Sequence, residues 1–208
     1  MRIIDPKKHS ARVQQILDAA RICFAEKGFH QTSTAFICIR AGMSSGNVFH
    51  YFPNKQAIIA AVVDGVRKDI AECFKSALQA TDPLGGILEF TDMILGLAAD
   101  KAFAGLALEI AAEATRDPAI GVRVSRNDIE LRSALQALII AAEERGQIGR
   151  ALPSADTATW IATLIDGIFL RVGVDPDFHP EAHSSTLRLM IARMLFTDAA
   201  GHSGVISL

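Results

Sequence analysis

Within residues 41–55 the chain places Ser44, Ser45, Asn47, His50 and Lys55, side chains that offer hydroxyl, amide, imidazole and ammonium groups. Their spacing sets no nucleophile beside a base that a third group could orient, so it does not describe a catalytic arrangement. Such groups on one short segment suit hydrogen bonding to the edges of bases and to phosphate oxygens. The residues between them say how the segment is held. Gly42 takes a left-handed cap without a Cβ penalty and so stops the helix before it. Ala41 is small enough for two helices to cross, and Met43 plugs the angle between them. Ser44 is a good N-cap for the next helix. In that short helix Val48 and Tyr51 are spaced to face inward, and Pro53 ends it across Phe52. Asn54 then caps a following helix and leaves Lys55 in its first turn. The helix dipole disfavours a cation there, unless the ammonium and the helix terminus share an anion.

Taken together, Thr32-Ser33 opening a helix, Ala41-Gly42-Met43-Ser44, and Phe49-His50-Tyr51-Phe52-Pro53-Asn54-Lys55 resemble the DNA-binding domain of the TetR family of bacterial transcriptional repressors. The resemblance is close over roughly the first quarter of the chain and a matter of pattern beyond it. It implies an all-α protein of about nine helices: a three-helix helix-turn-helix head, a long fourth helix leading out of it, and a helical body. Residues 1–56 would be the DNA-binding domain, and residues 57–208 the effector-binding and dimerisation domain. The implied partners are a double-stranded operator, an unknown small-molecule effector and a second copy of the chain, with no cofactor or metal and no membrane. Carried onto matching positions, Ser44, Ser45 and Asn47 would face the major groove, with Asn47 as the base reader because its amide both donates and accepts. His50 and Lys55 would meet phosphate, and Thr32 and Ser33 would add hydroxyl contacts. Phe49 stands where many members have a tyrosine that touches phosphate, and a phenyl ring cannot donate that bond.

Charge agrees with this division. The net charge is −2, but residues 1–56 carry eight Lys or Arg against three Asp or Glu, a formal +5, and the remainder carries −7. A basic head on an acidic body suits a phosphate-binding module joined to a domain with other business. Residues 1–10 lack the apolar core of a signal peptide, and the apolar run at 134–142 is too short to span a bilayer. A cytoplasmic place is therefore expected. Cys23, Cys38 and Cys73 show no paired spacing and read as buried thiols. The string His179-Pro180-Glu181-Ala182-His183 has proline where a zinc-protease helix needs glutamate, and no glycine-rich phosphate loop or serine elbow occurs. Enzymatic function is not expected.

Helical periodicity runs through the rest of the sequence. Val13, Ile16, Leu17, Ala20 and Phe24 share a face of the first helix, which Gly28 should stop. Ile58, Ile59, Val62, Val66 and Ile70 mark the fourth. In the body, Phe90, Met93, Phe103, Leu106 and Ile110 read as the lining of an effector cavity, with Glu109, Glu113, Asp128 or Arg132 as polar anchors. A plain core, with Glu113 paired to Arg116, is the competing reading. Trp160, Ile161, Leu164, Ile165, Ile168 and Phe169 form one stripe near the C-terminus, and Leu187, Ile191, Met194 and Leu195 form another. With Gly167 allowing close approach, these two helices read as a dimer interface, against the alternative of packing within one subunit. Function favours the dimer, since two short helices about 34–36 Å apart read a palindrome that one cannot. Phe36 and Ile39 are apolar where the family usually has polar residues. With Phe49, they favour the alternative function, a helical small-molecule-binding or interaction protein whose head has lost DNA affinity.

Overall fold

The computed structural model describes residues 5–79, 82–149 and 152–196. Among them nine α-helices and one 3-10 turn follow one another without a strand. The helices are α1 (Pro6–Gln31), α2 (Thr34–Ala41), α3 (Ser45–Tyr51), α4 (Lys55–Gln79), α5 (Pro83–Ala99), α6 (Lys101–Ala114), α7 (Pro118–Glu144), α8 (Ser154–Val174) and α9 (Ser184–Leu195), the 3-10 turn being Pro180–His183.

One dipeptide starts three of these helices. Asp5-Pro6, Asp82-Pro83 and Asp117-Pro118 each put an aspartate at the N-cap and a proline at the first helical position. The carboxylate accepts an orphan N–H, and the proline has none to leave unsatisfied. At α5 the cap also accepts from the Gln147 side chain at 2.8 Å, and the Gly85 N–H, with Gln147 behind it, holds the Asp82 carboxyl below its usual range. Gly28 does break α1, with φ 73° and ψ 169°, but one further turn of helix follows before Thr32 ends it.

Two apolar clusters organise the packing. The first joins Ile16, Ala20, Phe24 and Phe29 of α1 to Ile37, Val48 and Phe52, and to Ile58, Ile59, Val62 and Val63 of α4. The Phe24 and Phe29 rings meet edge to face at 4.7 Å. This core continues past residue 56, where the sequence placed the edge of the head, and it takes in Leu106 and Ile110 of α6 and Ile120 of α7. The second cluster joins Phe74 of α4 to α5, α7, α8 and α9. Because α4 contributes to both, it is the shaft between them. Two ionic crossings brace the body: Asp64 of α4 accepts from Arg123 and Arg126 of α7, and Asp92 of α5 accepts from Ser184 and Arg188. The Arg188 hydrogen bonds hold the Asp92 carboxyl below its ordinary range. Cys23 and Cys38 are buried free thiols, and burial pushes the Cys23 thiol up; the Cys73 and Ile70 side chains lie outside the described residues. By length and composition α8 could cross a membrane. Ile161, Ile165 and Ile168 on its inner side belong to the body core instead.

Candidate nucleic-acid interface

The recognition segment is built by caps. Gly42 adopts φ 63°, its N–H donates to the Ile39 carbonyl and the Met43 N–H to the Cys38 carbonyl, which satisfies the end of α2. Ser44 Oγ accepts the Asn47 N–H and starts α3. Val48, Met43 and Ala41 are buried in the head core, so α3 has one face fixed. Ser44, Ser45, Gly46, Asn47, Phe49 and His50 are left exposed on the other. Phe36 lies beneath the Lys27 ammonium, 3.7 Å from the ring centroid. Arg40 of α2 grips both carboxylate oxygens of Glu26 at 3.0 and 2.7 Å, and Gln15 donates to the Ala41 carbonyl at 2.7 Å. Ile39, the other unexpected apolar residue, stays 77% exposed.

Tyr51 is flanked by two imidazoles, His9 of α1 at 5.0 Å and His50 of α3 at 5.2 Å between ring centroids. This contact brings the first turns of α1, with exposed Lys7, Lys8 and Arg12, beside the end of α3. Nothing in the spacing of the sequence points to His9, because its partner is more than forty residues away and only the fold brings them together.

Two expected phosphate contacts are occupied otherwise. Thr32 is 0% exposed, and its hydroxyl donates toward the Cys23 and Gly28 carbonyls at 2.9 and 2.7 Å. It closes the end of α1 and has no surface to offer DNA. Lys55 Nζ donates to the carbonyls of Phe29 at 2.9 Å, Thr32 at 3.1 Å and His30 at 3.5 Å. The cation that the dipole of α4 disfavours is compensated by the carbonyl-rich end of α1 rather than by an outside anion. Ser33, by contrast, is exposed while its Oγ caps α2 through the Phe36 N–H.

The residues read as an effector lining do not converge. Phe90 and Met93 join the body core, with Phe90 against Phe74 at 4.3 Å. Phe103 meets Phe169 at 6.0 Å between ring centroids. Leu106 and Ile110 belong to the head core, because α6 packs along α1. Glu109 accepts the Phe29 N–H, Glu113 meets His30 at 3.0 Å and Arg116 at 3.6 Å, and Arg132 is paired with Asp128 at 2.8 Å. A small cavity of about 90 Å³ does lie at the junction of head and body, walled by Phe29, His30, Lys55, Ile59, Glu113 and Ile120 among others. Of the expected lining it includes only Glu113.

The C-terminal stripes also divide. Leu187, Ile191 and Leu195 are buried inside the subunit and Ile168 nearly so, so these four cannot form an intersubunit surface as they stand. Leu164 and Met194 are half-buried, and Trp160 and Gly167 are exposed. Also exposed are Leu170 and Val174 of α8 and Leu189 and Met190 of α9, none of them in the two expected stripes.

A short polar-faced helix presented by a basic three-helix head, on a shaft that runs on into a helical body with a second core, defines a helix-turn-helix transcriptional regulator. Residues 16–62 match the model of bacterial regulatory proteins of the tetR family, and residues 89–195 match the C-terminal model of BetI-type transcriptional repressors. The chain belongs to the TetR family. It is 31% identical over 171 residues to the HTH-type transcriptional repressor Rv1474c of Mycobacterium tuberculosis, covering 80% of this chain and 86% of that protein. Among solved structures, Salmonella enterica GusR superposes with a TM-score of 0.73 at 28% identity, covering 89% of this chain and 95% of that one. The triclosan complex of SmeT, repressor of a Stenotrophomonas maltophilia efflux pump, shares the fold at a TM-score of 0.78 and 19% identity, covering 95% and 98%.

Proposed function

We propose that the protein is a cytoplasmic repressor that holds a palindromic double-stranded operator as a homodimer and releases it when a small molecule occupies its body. The observation that carries this reading is the outward face of α3, where Ser45, Asn47, Phe49 and His50 stand clear of the head core while Val48 anchors the helix. Asn47 is assigned as the base reader, Ser44, Ser45 and His50 as rim and phosphate contacts, and Ser33 as a contact from the start of α2. The exposed Phe49 ring suits an apolar contact with a thymine methyl in place of a phosphate hydrogen bond. Lys7, Lys8 and Arg12 extend the cationic footprint toward flanking phosphates.

The dimer is assigned to the outer apolar face of α8 and α9, centred on Trp160, Gly167, Leu170, Leu189 and Met190. Large apolar side chains exposed in such number on two neighbouring helices suit a surface that another subunit covers. The effector is assigned to the helical body as a whole; support comes from the fold shared with SmeT, which holds triclosan in its solved complex.

Titrating the purified chain with duplex from upstream of its own gene tests the reading. Log affinity is expected to fall linearly with log salt between about 50 and 200 mM, losing at least about tenfold. A chain that ignores this and every unrelated duplex at the lowest salt is instead a ligand-binding protein with a silent head.

A further inference from the structure

The turn that joins α1 to α2 is held from two sides. At Gly28 the backbone reverses into φ 73°, ψ 169°, which turns the Phe29 N–H away from the helix, and Glu109 Oε1 of α6 accepts it at 2.5 Å. The fit is close: a Cβ at residue 28 would lie 3.0 Å from Glu109 Oε1, so the glycine serves both the dihedral and the approach of the carboxylate. One turn further along α6, Glu113 meets His30. From the α4 side, Lys55 donates to the Phe29 and Thr32 carbonyls. The two polarities of the same few peptide groups are thus gripped by different helices, the carbonyls by α4 and the N–H by α6.

This turn runs directly into Ser33, the cap of α2, and α2 leads through Gly42 to α3. Elsewhere α6 meets the head through Leu106 and Ile110. Apolar contact attracts without fixing direction, so those side chains permit sliding. A hydrogen bond from a backbone N–H to a side-chain oxygen is directional and confined to a narrow range of distance, and so sets a register. Lys55 fixes the turn to α4 alone and cannot report where α6 stands.

We propose that Glu109 is a positioning residue for DNA binding: by accepting the Phe29 N–H it sets the register of α6 against the head and so the attitude of α3. The proposal rests on the reading that α3 binds duplex. What matters is an acceptor at the reach of a glutamate side chain, not its charge.

Full-length E109Q, E109D and E109A test this with the upstream duplex and, separately, by hydrogen exchange of the free protein. E109Q keeps an oxygen at the right reach and is expected to bind within about twofold of wild type. E109D keeps the charge but falls one methylene short, and is expected to lose about tenfold, as is E109A. Without DNA, the Phe29 amide should exchange about tenfold faster in E109D and E109A but not in E109Q, while amides of α8 are unchanged. If E109A fails to fold, the E109D and E109Q pair decides the matter alone. Wild-type exchange and affinity in E109D, or a loss in E109Q equal to that in E109D, overturns the proposal. A wild-type chain that binds no duplex overturns the functional reading instead, and the exchange measurement still judges the Glu109 contact.

Discussion

Two outward faces of this molecule are made of opposite materials. On α3 the exposed residues are Ser45, Gly46, Asn47 and His50, with Phe49 as the one large apolar group. On α8 and α9 they include Trp160, Leu170, Val174, Leu189 and Met190, and Trp160 alone is 57% exposed. Both faces are backed by buried aliphatic residues, Val48 alone behind the first and Ile161, Ile165, Ile191 and Leu195 behind the second. The difference lies only in what each is prepared to meet. A polar face keeps its water until a hydrated polyanion replaces it, whereas an apolar one gains by shedding water against another apolar surface.

Breaking the apolar face should have the largest effect. Trp160→Glu places a charge in the assigned intersubunit surface, and light scattering should show the subunits separated at micromolar concentration. Duplex affinity should fall by about a hundredfold or more, because half an operator is read at a time. A dimer that survives this change would remove Trp160 from the interface.

The polar face should respond more gently and more selectively. Asn47→Ala is expected to cost about 1–3 kcal/mol at one base pair of each half-site and nothing at the others, measured by binding to a panel of singly substituted operators. A uniform loss across the panel would make Asn47 a phosphate contact. Next in size, Ser44→Ala removes the cap of α3 and should lower stability by about 1 kcal/mol in denaturant unfolding, with a matching loss of affinity at every sequence.

Away from both faces the expected effect is smallest. The depressed Asp92 carboxyl contributes stability that is complete above about pH 4, the ordinary aspartate range, and is lost as pH falls through its lowered value. Because the pair with Arg188 is well exposed on both sides, solvent screens it. Asp92→Asn should therefore unfold only slightly earlier at pH 7, and its midpoint should drop less than that of wild type between pH 5 and pH 3.

What the sequence revealed and what it hid follow from the range of the forces involved. Gly42, Ser44, Pro53 and Asn54 act within four residues of themselves, so their caps and stops could be read directly, and the three-helix head with them. The burial of Thr32 and the turn of Lys55 toward α1 depend on how α1 and α4 meet, which local rules do not contain. On α9, apolar residues stand at Leu187, Ile191 and Leu195 and again at Leu189 and Met190, so periodicity shows two stripes without saying which is inside. Helix α6 misled in a similar way. Its Leu106 and Ile110 have the spacing of a cavity wall, and only the packing of α6 along α1 sends them to the head core.

The unbroken run of α4 from Lys55 to Gln79 has a mechanical consequence. Twenty-five residues at 1.5 Å each make a rod of about 37 Å with no loop to absorb rotation. Tilting such a rod by about 10° carries its far end about 6 Å, close to two base-pair steps of about 3.4 Å. A shape change in the body that is modest at its source would thus arrive at the head enlarged to the scale on which successive base pairs are spaced.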